Sequence, residues 1–375
     1  MDIFAGAGGL SLGLKKAGFE ILSHIEISDS ACKTLRANGF SSVINKEISS
    51  FNYAPFVGKV DFLAGGPPCQ PFSTGGSHGA HTDNRDLFPE AIRAVRELNP
   101  KAFLFENVRG LLRNKFSNYL EYVRLQLSHP KLDLKPNETW IEHLARLEKA
   151  ETKSDHSEIE YSVFVHSVNA ADYGVPQKRN RVFIVGFRRD LGAEWAFPPA
   201  SHSYERLIWD IYKSNEYLNR HGIELKNIRH SDKERKLAVS FENEAPLLSP
   251  WVTIRDAVRG LPNPESELSR EFQAHKFIKG ARTYKGHTGS VLDLPSKTIK
   301  AGVNGVPGGE NMFIDDNRDV RYFTVRESAR LQQFPDEYEF NHSRTESMRQ
   351  IGNAVPVFLA KIIGLSIFDA LNFSD

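Results

Sequence analysis

The chain has 375 residues, of which 40% are hydrophobic and 25% are charged, the composition of a soluble globular protein rather than a disordered or fibrous one. It carries 48 Lys and Arg against 47 Asp and Glu, and the net charge of +1 excludes a protein that holds nucleic acid by bulk charge, though not one with a local basic surface. No uninterrupted apolar run reaches the roughly 20 residues of a membrane span, and no secretory signal is recognisable. The only cysteines, Cys32 and Cys69, make neither a disulfide framework nor a cysteine-rich zinc site. We therefore expect a cytoplasmic protein with no membrane contact and no metal.

Short apolar strands alternate with helices along the first 110 residues. In chain order, the predicted elements are a strand at Met1–Phe4, a helix at Leu10–Ala17, a strand at Glu20–Glu26, a helix at Ser28–Asn38, a strand at Val60–Ala64, a helix at Leu87–Leu98 and a strand at Ala102–Phe105. Strands that alternate with helices at this spacing predict an open, parallel α/β sheet with helices on both faces.

The pattern of predicted elements changes twice along the rest of the chain. A charged, mostly helical stretch at 113–160 precedes two further predicted strands, Tyr161–Val168 and Arg181–Phe187. Residues 188–320 have few periodic segments and many turn residues, which indicates a smaller, irregular domain. Predicted helices return at Thr324–Phe334 and Ala354–Leu371. The predicted domains are thus 1–187, 188–320 and a return to the first domain at 321–375.

A glycine-rich turn follows the first predicted strand. Gly6–Gly9 joins that strand to a helix, an arrangement in which backbone N–H groups can approach a ligand closely. Ser11 stands where a dinucleotide fingerprint has its third glycine, so the pattern gives no strong case for a pyrophosphate. Glu26 ends the next strand, and one carboxylate there can accept both hydroxyl hydrogens of a ribose diol. These residues favour an adenosine-type ligand, and a tight turn without a ligand stays open.

Two reactive side chains follow neighbouring predicted strands. Cys69 lies in the glycine- and proline-rich segment Gly65–Ser73, at the carboxyl end of a strand, where open α/β sheets bind their ligands. Glu106 follows the next strand and faces the same crevice, where a carboxyl group can transfer a proton. Cys32 lies on a predicted helix and is interpreted as a core residue.

A polar run, Gln177–Arg181, precedes the last predicted strand of the first domain. In a strand-like register Gln177, Arg179 and Arg181 share one face. Arginines on one face can grip a phosphate or a carbonyl oxygen, and a solvated charged edge is the alternative.

Together and in this order, these segments resemble the C5-cytosine DNA methyltransferases of restriction–modification systems. Two later segments, Arg326–Pro335 and Gln350–Pro356, also match that family. The resemblance covers residues 2–187 and 320–371. It implies a Rossmann-like, S-adenosylmethionine-dependent methyltransferase sheet with a target-recognition domain at 188–320.

The resemblance also implies a chemistry. The target cytosine is flipped out of the duplex, and the thiolate of Cys69 adds to its C6. Glu106 protonates or hydrogen-bonds N3, Arg181 holds O2, and Arg179 supports the same wall. C5 takes the methyl group of S-adenosylmethionine, leaving S-adenosylhomocysteine, and loss of the C5 proton with elimination of Cys69 releases 5-methylcytosine.

Twelve positions match the cofactor site of the family. They are Phe4, Gly6, Ala7, Gly9, Glu26, Ile27, Glu47, Ile48, Pro68, Leu87, Asn353 and Ala354. Three departures are visible: Glu47 replaces the usual Asp at the adenine, Gly75 replaces a usual Ser in the loop after the cysteine, and only Met1 precedes Asp2.

Duplex DNA is the implied partner. Residues 272–300 hold six basic side chains against Asp293 alone, a local charge of +5 that suits phosphate contacts. Lys297, Thr298 and Lys300, together with Ser73, are the candidate DNA contacts. The family context also implies a monomer in a bacterial or phage-host cytosol, associated with the nucleoid. A cognate restriction endonuclease would act on the same site without a stable complex.

Three other functions stay open at this point. An RNA cytosine-5 methyltransferase would use the same scaffold, although the 130 or so residues after Phe187 favour a duplex-reading domain. A catalytically silent DNA-binding protein is disfavoured by the intact set of Cys69, Glu106 and Arg181. A nicotinamide oxidoreductase is disfavoured by Ser11 in the glycine turn.

Overall fold

The computed structural model describes residues 1–68, 86–152, 159–229, 231–241, 244–283, 285, 288–301 and 311–372. Cys69, Ser73 and Gly75 lie outside the described residues. The predictions made for them are therefore not addressed by the fold.

The described residues form twelve strands and twelve helices. The strands are β1 (Asp2–Ile3), β2 (His24–Glu26), β3 (Val43–Asn45), β4 (Phe62–Gly65), β5 (Ala102–Val108), β6 (Tyr161–Asn169), β7 (Asn180–Arg188), β8 (His202–Ser203), β9 (Ser249–Pro250), β10 (Ser290–Val291), β11 (Met312–Ile314) and β12 (Val320–Tyr322). The helices are α1 (Gly9–Lys16), α2 (Asp29–Ala37), α3 (Phe88–Leu98), α4 (Ser117–Ser128), α5 (Trp140–Glu151), α6 (Tyr204–Tyr212), α7 (Glu216–His221), α8 (Asp232–Ser240), α9 (Ile254–Val258), α10 (Val325–Leu331), α11 (Arg344–Asn353) and α12 (Val357–Asn372).

The first seven strands form one sheet in the order β3-β2-β1-β4-β5-β7-β6. The strands β1 to β5 run parallel, whereas β7 is antiparallel to both β5 and β6. The prediction of a parallel α/β sheet over the first 110 residues is confirmed, and the two later strands, whose direction the sequence did not indicate, add an antiparallel edge. Only residues 170–179 join β6 to β7, fewer than the dozen or more that a parallel crossover needs.

Alternate strand residues face opposite layers of helices. Leu63 and Phe103 pack in a core that includes α3 and α4, and their chain neighbours Phe62 and Leu104 pack in a second core that includes α1 and α12. Because side chains alternate along a strand, both faces of the sheet are covered. The sheet therefore exposes its strand ends to a ligand rather than its faces.

Helices α1 and α12 approach unusually closely. A Cβ at Gly13 would lie 2.4 Å from the Cβ of Ala360, and one at Gly364 would lie 2.9 Å from a methyl group of Leu14. Glycine at these positions lets the last helix lie directly against the first. The stretch Arg344–Asn372 is long and apolar enough to cross a membrane by length and composition, but half of its apolar window is buried in this core.

Residues after β7 are more regular than the sequence indicated. They contain α6 to α9, a two-stranded sheet of β8 and β9, and a three-stranded sheet in the order β10-β11-β12. Helix α6 buries Leu207, Ile208 and Ile211 and is only nine residues long, so its period is easily overlooked. Strand β12 begins at residue 320, the predicted boundary, and pairs with β11, which lies before it. The domain boundaries at 188 and 320 stay predictions.

Candidate active site

A cleft of about 640 Å³ opens at the carboxyl ends of the parallel strands. Its volume falls in the range of about 300–1,000 Å³ typical of small-molecule sites. The cleft is lined by all twelve residues predicted for the cofactor and by three of the four predicted for catalysis. Those three are Glu106, Arg179 and Arg181.

The glycine turn forms the wall of the cleft above β1. Phe4 and Gly6 both have left-handed backbones, with φ of 60° and 53°. A Cβ at Gly6 would meet no atom within 4 Å, so the backbone there faces open space. A Cβ at Gly9 would lie 2.5 Å from the carbonyl oxygen of Val355, which shows how tightly the turn between α11 and α12 approaches this loop. Phe4 is not a glycine, and its strained backbone is of the kind found at ligand sites.

Glu26 is held in place by the backbone around it. Its Oε2 accepts a hydrogen bond from the N–H of Gly6 at 2.8 Å, and its Oε1 accepts one from the N–H of Ser28 at 2.7 Å. Each oxygen keeps lone-pair capacity toward the cleft. The carboxylate is thus fixed before any ligand arrives, and it fits the two hydroxyl groups of a ribose.

The adenine end of the predicted cofactor site lies beyond Glu26. Ile27 is 66% exposed there, although it is a large apolar side chain, and Glu47 and Ile48 line the same part of the cleft. An exposed apolar side chain beside polar acceptors suits a flat, partly polar ring. Here Glu47 occupies the place of the family's usual Asp.

Arg349 and Asp2 are among the cleft residues that the sequence analysis did not single out. Arg349 on α11 lines the cleft and donates to the hydroxyl of Ser28 at 3.2 Å, so it adjoins the Glu26 carboxylate. Asp2 on β1 lies at the base, and burial raises its pKa to about 7 while the hydroxyl of Ser11 donates to it. Ser11, which breaks the dinucleotide fingerprint, therefore has a structural partner. Arg349 directly precedes the matching segment Gln350–Pro356, a signal that could have found it.

Glu106 and Arg181 form a pair at the opposite end of the cleft. Arg181 Nε lies 2.6 Å from Glu106 Oε1, but its N–H is not directed at that oxygen, so the contact is an ion pair without a hydrogen bond. The antiparallel register of β5 and β7, which pairs Val108 with Arg181, brings the two side chains together. Asn107 donates to the carbonyl of Pro67 at 3.0 Å and ties β5 to the segment that leads to Cys69.

The guanidinium of Arg179 has different hydrogen-bond partners from that of Arg181. It is 1% exposed, and its Nη2 donates to the carbonyl of Gly352 at 2.8 Å while Nη1 donates to that of Ile299 at 3.5 Å. Burial lowers the pKa of the Arg179 guanidinium. Arg179 therefore supports the wall of the cleft by linking distant backbone segments.

Gln177 does not line the cleft, so it does not share a face with Arg179 and Arg181 as the sequence analysis expected. Strand β7 begins only at Asn180, and Gln177 instead accepts a hydrogen bond from the N–H of Ile299 at 3.0 Å. This interaction anchors the segment that contains the candidate DNA contacts. The hydroxyl of Thr298 donates to the carbonyl of Lys178 at 2.7 Å, Lys297 is half-buried and Lys300 is exposed. The segment 297–300 thus lies beside the arginines of the cleft, and its contact with DNA stays a prediction.

Metal ligands do not assemble in the described part of the chain. No group of three or more His, Cys, Asp or Glu side chains within it could hold a metal ion.

Solved structures with the same fold are methyltransferases. A putative DNA modification methyltransferase from an Escherichia coli prophage superposes with a TM-score of 0.60 at 22% identity, covering 99% of this chain and 98% of its own. The S. pombe Dnmt2 methyltransferase superposes with a TM-score of 0.58 at 18% identity, covering 98% of each chain. At these identities the likeness shows the fold alone.

Sequence relatives narrow this class to one family. The model of the C-5 cytosine-specific DNA methylases matches residues 1–129 and 141–369, and the chain belongs to that family. Type II methyltransferase M.Eco47II of Escherichia coli is 32% identical over 383 residues, covering 99% of this chain and 79% of the relative. Type II methyltransferase M.NgoMIV of Neisseria gonorrhoeae is 31% identical over 376 residues, covering 99% and 97%. The resemblance seen in the sequence is confirmed, and the protein is a DNA cytosine-5 methyltransferase.

Proposed function

We propose that this protein flips a cytosine out of a specific duplex DNA sequence and methylates its C5, with S-adenosylmethionine as methyl donor. The observation that carries the proposal is the placement of the Glu106–Arg181 pair and of Glu26 in one cleft. A base recognised by the pair and a nucleoside cofactor recognised by Glu26 would then meet within it. An RNA substrate for the same chemistry is not favoured, because the family acts on DNA.

The residues around the glycine turn fit the cofactor. Glu26 would bind the ribose hydroxyls, Ile27 and Glu47 would contact the adenine, and the open backbone at Gly6 would receive the methionine part. When bound, S-adenosylmethionine supplies a methyl group on a positively charged sulfur, an electrophile that a nucleophilic C5 accepts. The other product would be S-adenosylhomocysteine.

The chain's own residues would make C5 nucleophilic. The thiolate of Cys69 forms a bond to C6, and the electron pair of the C5–C6 double bond moves to C5. Glu106 donates a proton or hydrogen bond to N3, which stabilises the charge that the addition brings into the ring. Arg181 holds O2 and keeps Glu106 oriented. After methylation, loss of the C5 proton restores the C5–C6 double bond and expels the Cys69 thiolate.

The biological setting follows from the relatives. Their names describe type II methyltransferases, and we propose that this protein is the modification enzyme of a restriction–modification system. A restriction endonuclease of the same specificity would then act on the same sites without forming a stable complex. The protein would act as a monomer in the cytosol, on the DNA of the nucleoid.

The experiment is methyl transfer from tritiated S-adenosylmethionine to unmethylated genomic DNA, with duplex RNA as a parallel substrate. Transfer to DNA is expected in the wild type and in Cys32→Ser, a control that changes a buried thiol on α2. It should be abolished in Cys69→Ser. Duplexes that contain 5-fluorocytosine should trap a covalent complex, because fluorine at C5 cannot leave as a proton does.

Two results would overturn the proposal. Transfer to RNA but not to DNA would reassign the substrate. Transfer to DNA that persists undiminished in Cys69→Ser would remove the proposed nucleophile. Sequencing of 5-methylcytosine in a host that expresses the protein would give the recognition sequence.

A further inference from the structure

An exposed basic segment follows directly after the strand that carries Glu106. Residues 107–120 contain Arg109, Arg113 and Lys115 and no acidic residue. The backbone makes two short 3-10 turns, Arg109–Leu112 and Asn114–Phe116. We call residues 109–115 the post-β5 segment. Its three basic side chains are all exposed.

The post-β5 segment begins directly after a residue that lines the cleft. Val108, the residue before it, lines the cleft and is paired with Arg181 in the sheet. Leu111 is fully buried and anchors the turn, so the basic side chains on either side of it are held at a fixed place. The segment therefore continues directly from the internal strand β5 and is anchored to the fold through Leu111.

The arginines of this segment are not neutralised. Among the described residues, neither Arg109 nor Arg113 has a carboxylate within ion-pair distance, whereas arginines on the nearby helices α3 and α4, such as Arg93 and Arg124, are paired with glutamates. Lys115 extends its ammonium group over the ring of Phe116 at 4.7 Å. Exposed arginines without a carboxylate partner attract an anionic group.

We propose that the post-β5 segment binds backbone phosphates of duplex DNA beside the flipped cytosine. This inference rests on the proposed function, since it requires DNA to lie across the cleft. The segment 297–300 flanks the same cleft through its contacts with Gln177 and Lys178. The duplex would thus contact positive charge from two segments of the chain. The basic surface would then be larger than the charge of +5 counted over residues 272–300 indicates.

Phosphate contacts predict a characteristic salt dependence. Each phosphate contact contributes about 0.9 to the slope of log K against log salt concentration. Replacing Arg109 and Arg113 by Gln removes two contacts and should lower the slope by about 1.8. The loss should be equal for DNA that contains the recognition sequence and DNA that lacks it, because phosphates carry no sequence information.

The test measures DNA binding by fluorescence anisotropy at several salt concentrations. The variant is Arg109→Gln/Arg113→Gln, and the matched control is Lys15→Gln/Lys16→Gln, which removes two exposed charges from the end of α1 that points away from the cleft. The control should keep the wild-type slope. Thermal unfolding of both variants verifies that these exposed substitutions leave the fold intact.

The outcomes separate this inference from the proposed function. A slope reduced in the arginine variant but not in the control supports the inference, whether or not methyl transfer is detected. An unchanged slope in an enzyme that methylates DNA overturns the inference alone. A slope that falls equally in both variants would show a diffuse effect of net charge and overturn it too. A reduced slope with duplex RNA but not with duplex DNA would assign the segment to a different nucleic acid and refute the proposal.

Discussion

Replacing Glu26 by Gln should weaken cofactor binding more than its small change in shape suggests. The carboxylate accepts from two backbone N–H groups, one on each oxygen, at 2.8 and 2.7 Å. An amide in the same place presents its NH₂ group to one of those N–H groups, donor against donor. The variant therefore loses one backbone hydrogen bond and the negative charge that accepts the ribose hydroxyls.

The magnitude follows from these contacts. A hydrogen bond to a charged group contributes about 1.5–3 kcal/mol, and leaving a buried donor unsatisfied costs about 1–3 kcal/mol. Losing one ribose bond and weakening the other should cost about 2–3 kcal/mol of binding free energy, roughly a 30- to 150-fold rise in the dissociation constant.

Isothermal titration with S-adenosylhomocysteine in the absence of DNA measures this change directly. Glu20→Gln is the control, because Glu20 is an exposed acid that precedes β2, whereas Glu26 lies at the carboxyl end of that strand. A ligand that lacks the ribose 2′-hydroxyl completes a double-mutant cycle, in which Glu26→Gln and the missing hydroxyl should not add. A dissociation constant within threefold of the wild type, or full additivity in the cycle, would refute the role of Glu26.

Three further predictions follow from the fold and the cleft. Gly13→Ala should destabilise the protein by about 1–3 kcal/mol, because the new methyl group would meet Ala360 at 2.4 Å, and an unchanged midpoint of thermal unfolding would contradict that packing. Burial lowers the pKa of His24 to about 4 from its usual 6.5, so the stability that this neutral ring gives above pH 6.5 should be lost as pH falls toward 4. The full loss amounts to about 3 kcal/mol, of which about 2 kcal/mol falls between pH 7 and pH 5, so the difference in urea unfolding between these two pH values should be smaller in His24→Phe than in the wild type. Glu106→Gln should lower the single-turnover rate of methylation by about 10²- to 10⁴-fold, and a rate within fivefold of the wild type would show that Arg181 orients the base without it.

The sequence predicted the parts of the fold that local patterns determine. Helix α3 was expected at Leu87–Leu98 and forms at Phe88–Leu98, because its apolar residues repeat at the helical period. Strand β3 was missed, since Val43–Asn45 offers only three half-buried or exposed residues and no alternation. The antiparallel direction of β7 depends on the length of the preceding connection, which a residue-by-residue pattern does not show.

The candidate site likewise contains some features that the local sequence predicts and others that only the folded chain shows. The glycine turn and Glu26 lie within 25 residues of each other, and their spacing carried the prediction of an adenosine ligand. Arg179 and Arg181 are two residues apart and look equivalent in the sequence. They differ because Arg179 donates a hydrogen bond to the carbonyl of Gly352, which lies 173 residues further along the chain. A distinction that depends on such a distant contact is available only from the folded chain.

The meeting of α1 with α12 has a consequence for synthesis of the enzyme. The cofactor cleft takes its walls from residues near both ends of the chain, with Gly9 against Val355. At about 5–20 residues per second, a ribosome needs roughly 20–70 s to pass from the first of these residues to the second. Once β7 has been synthesised, the nascent chain contains all seven strands of the sheet, but it lacks the part of the cleft wall that Val355 and its neighbours supply. Products of premature termination before α11 should therefore lack methyltransferase activity.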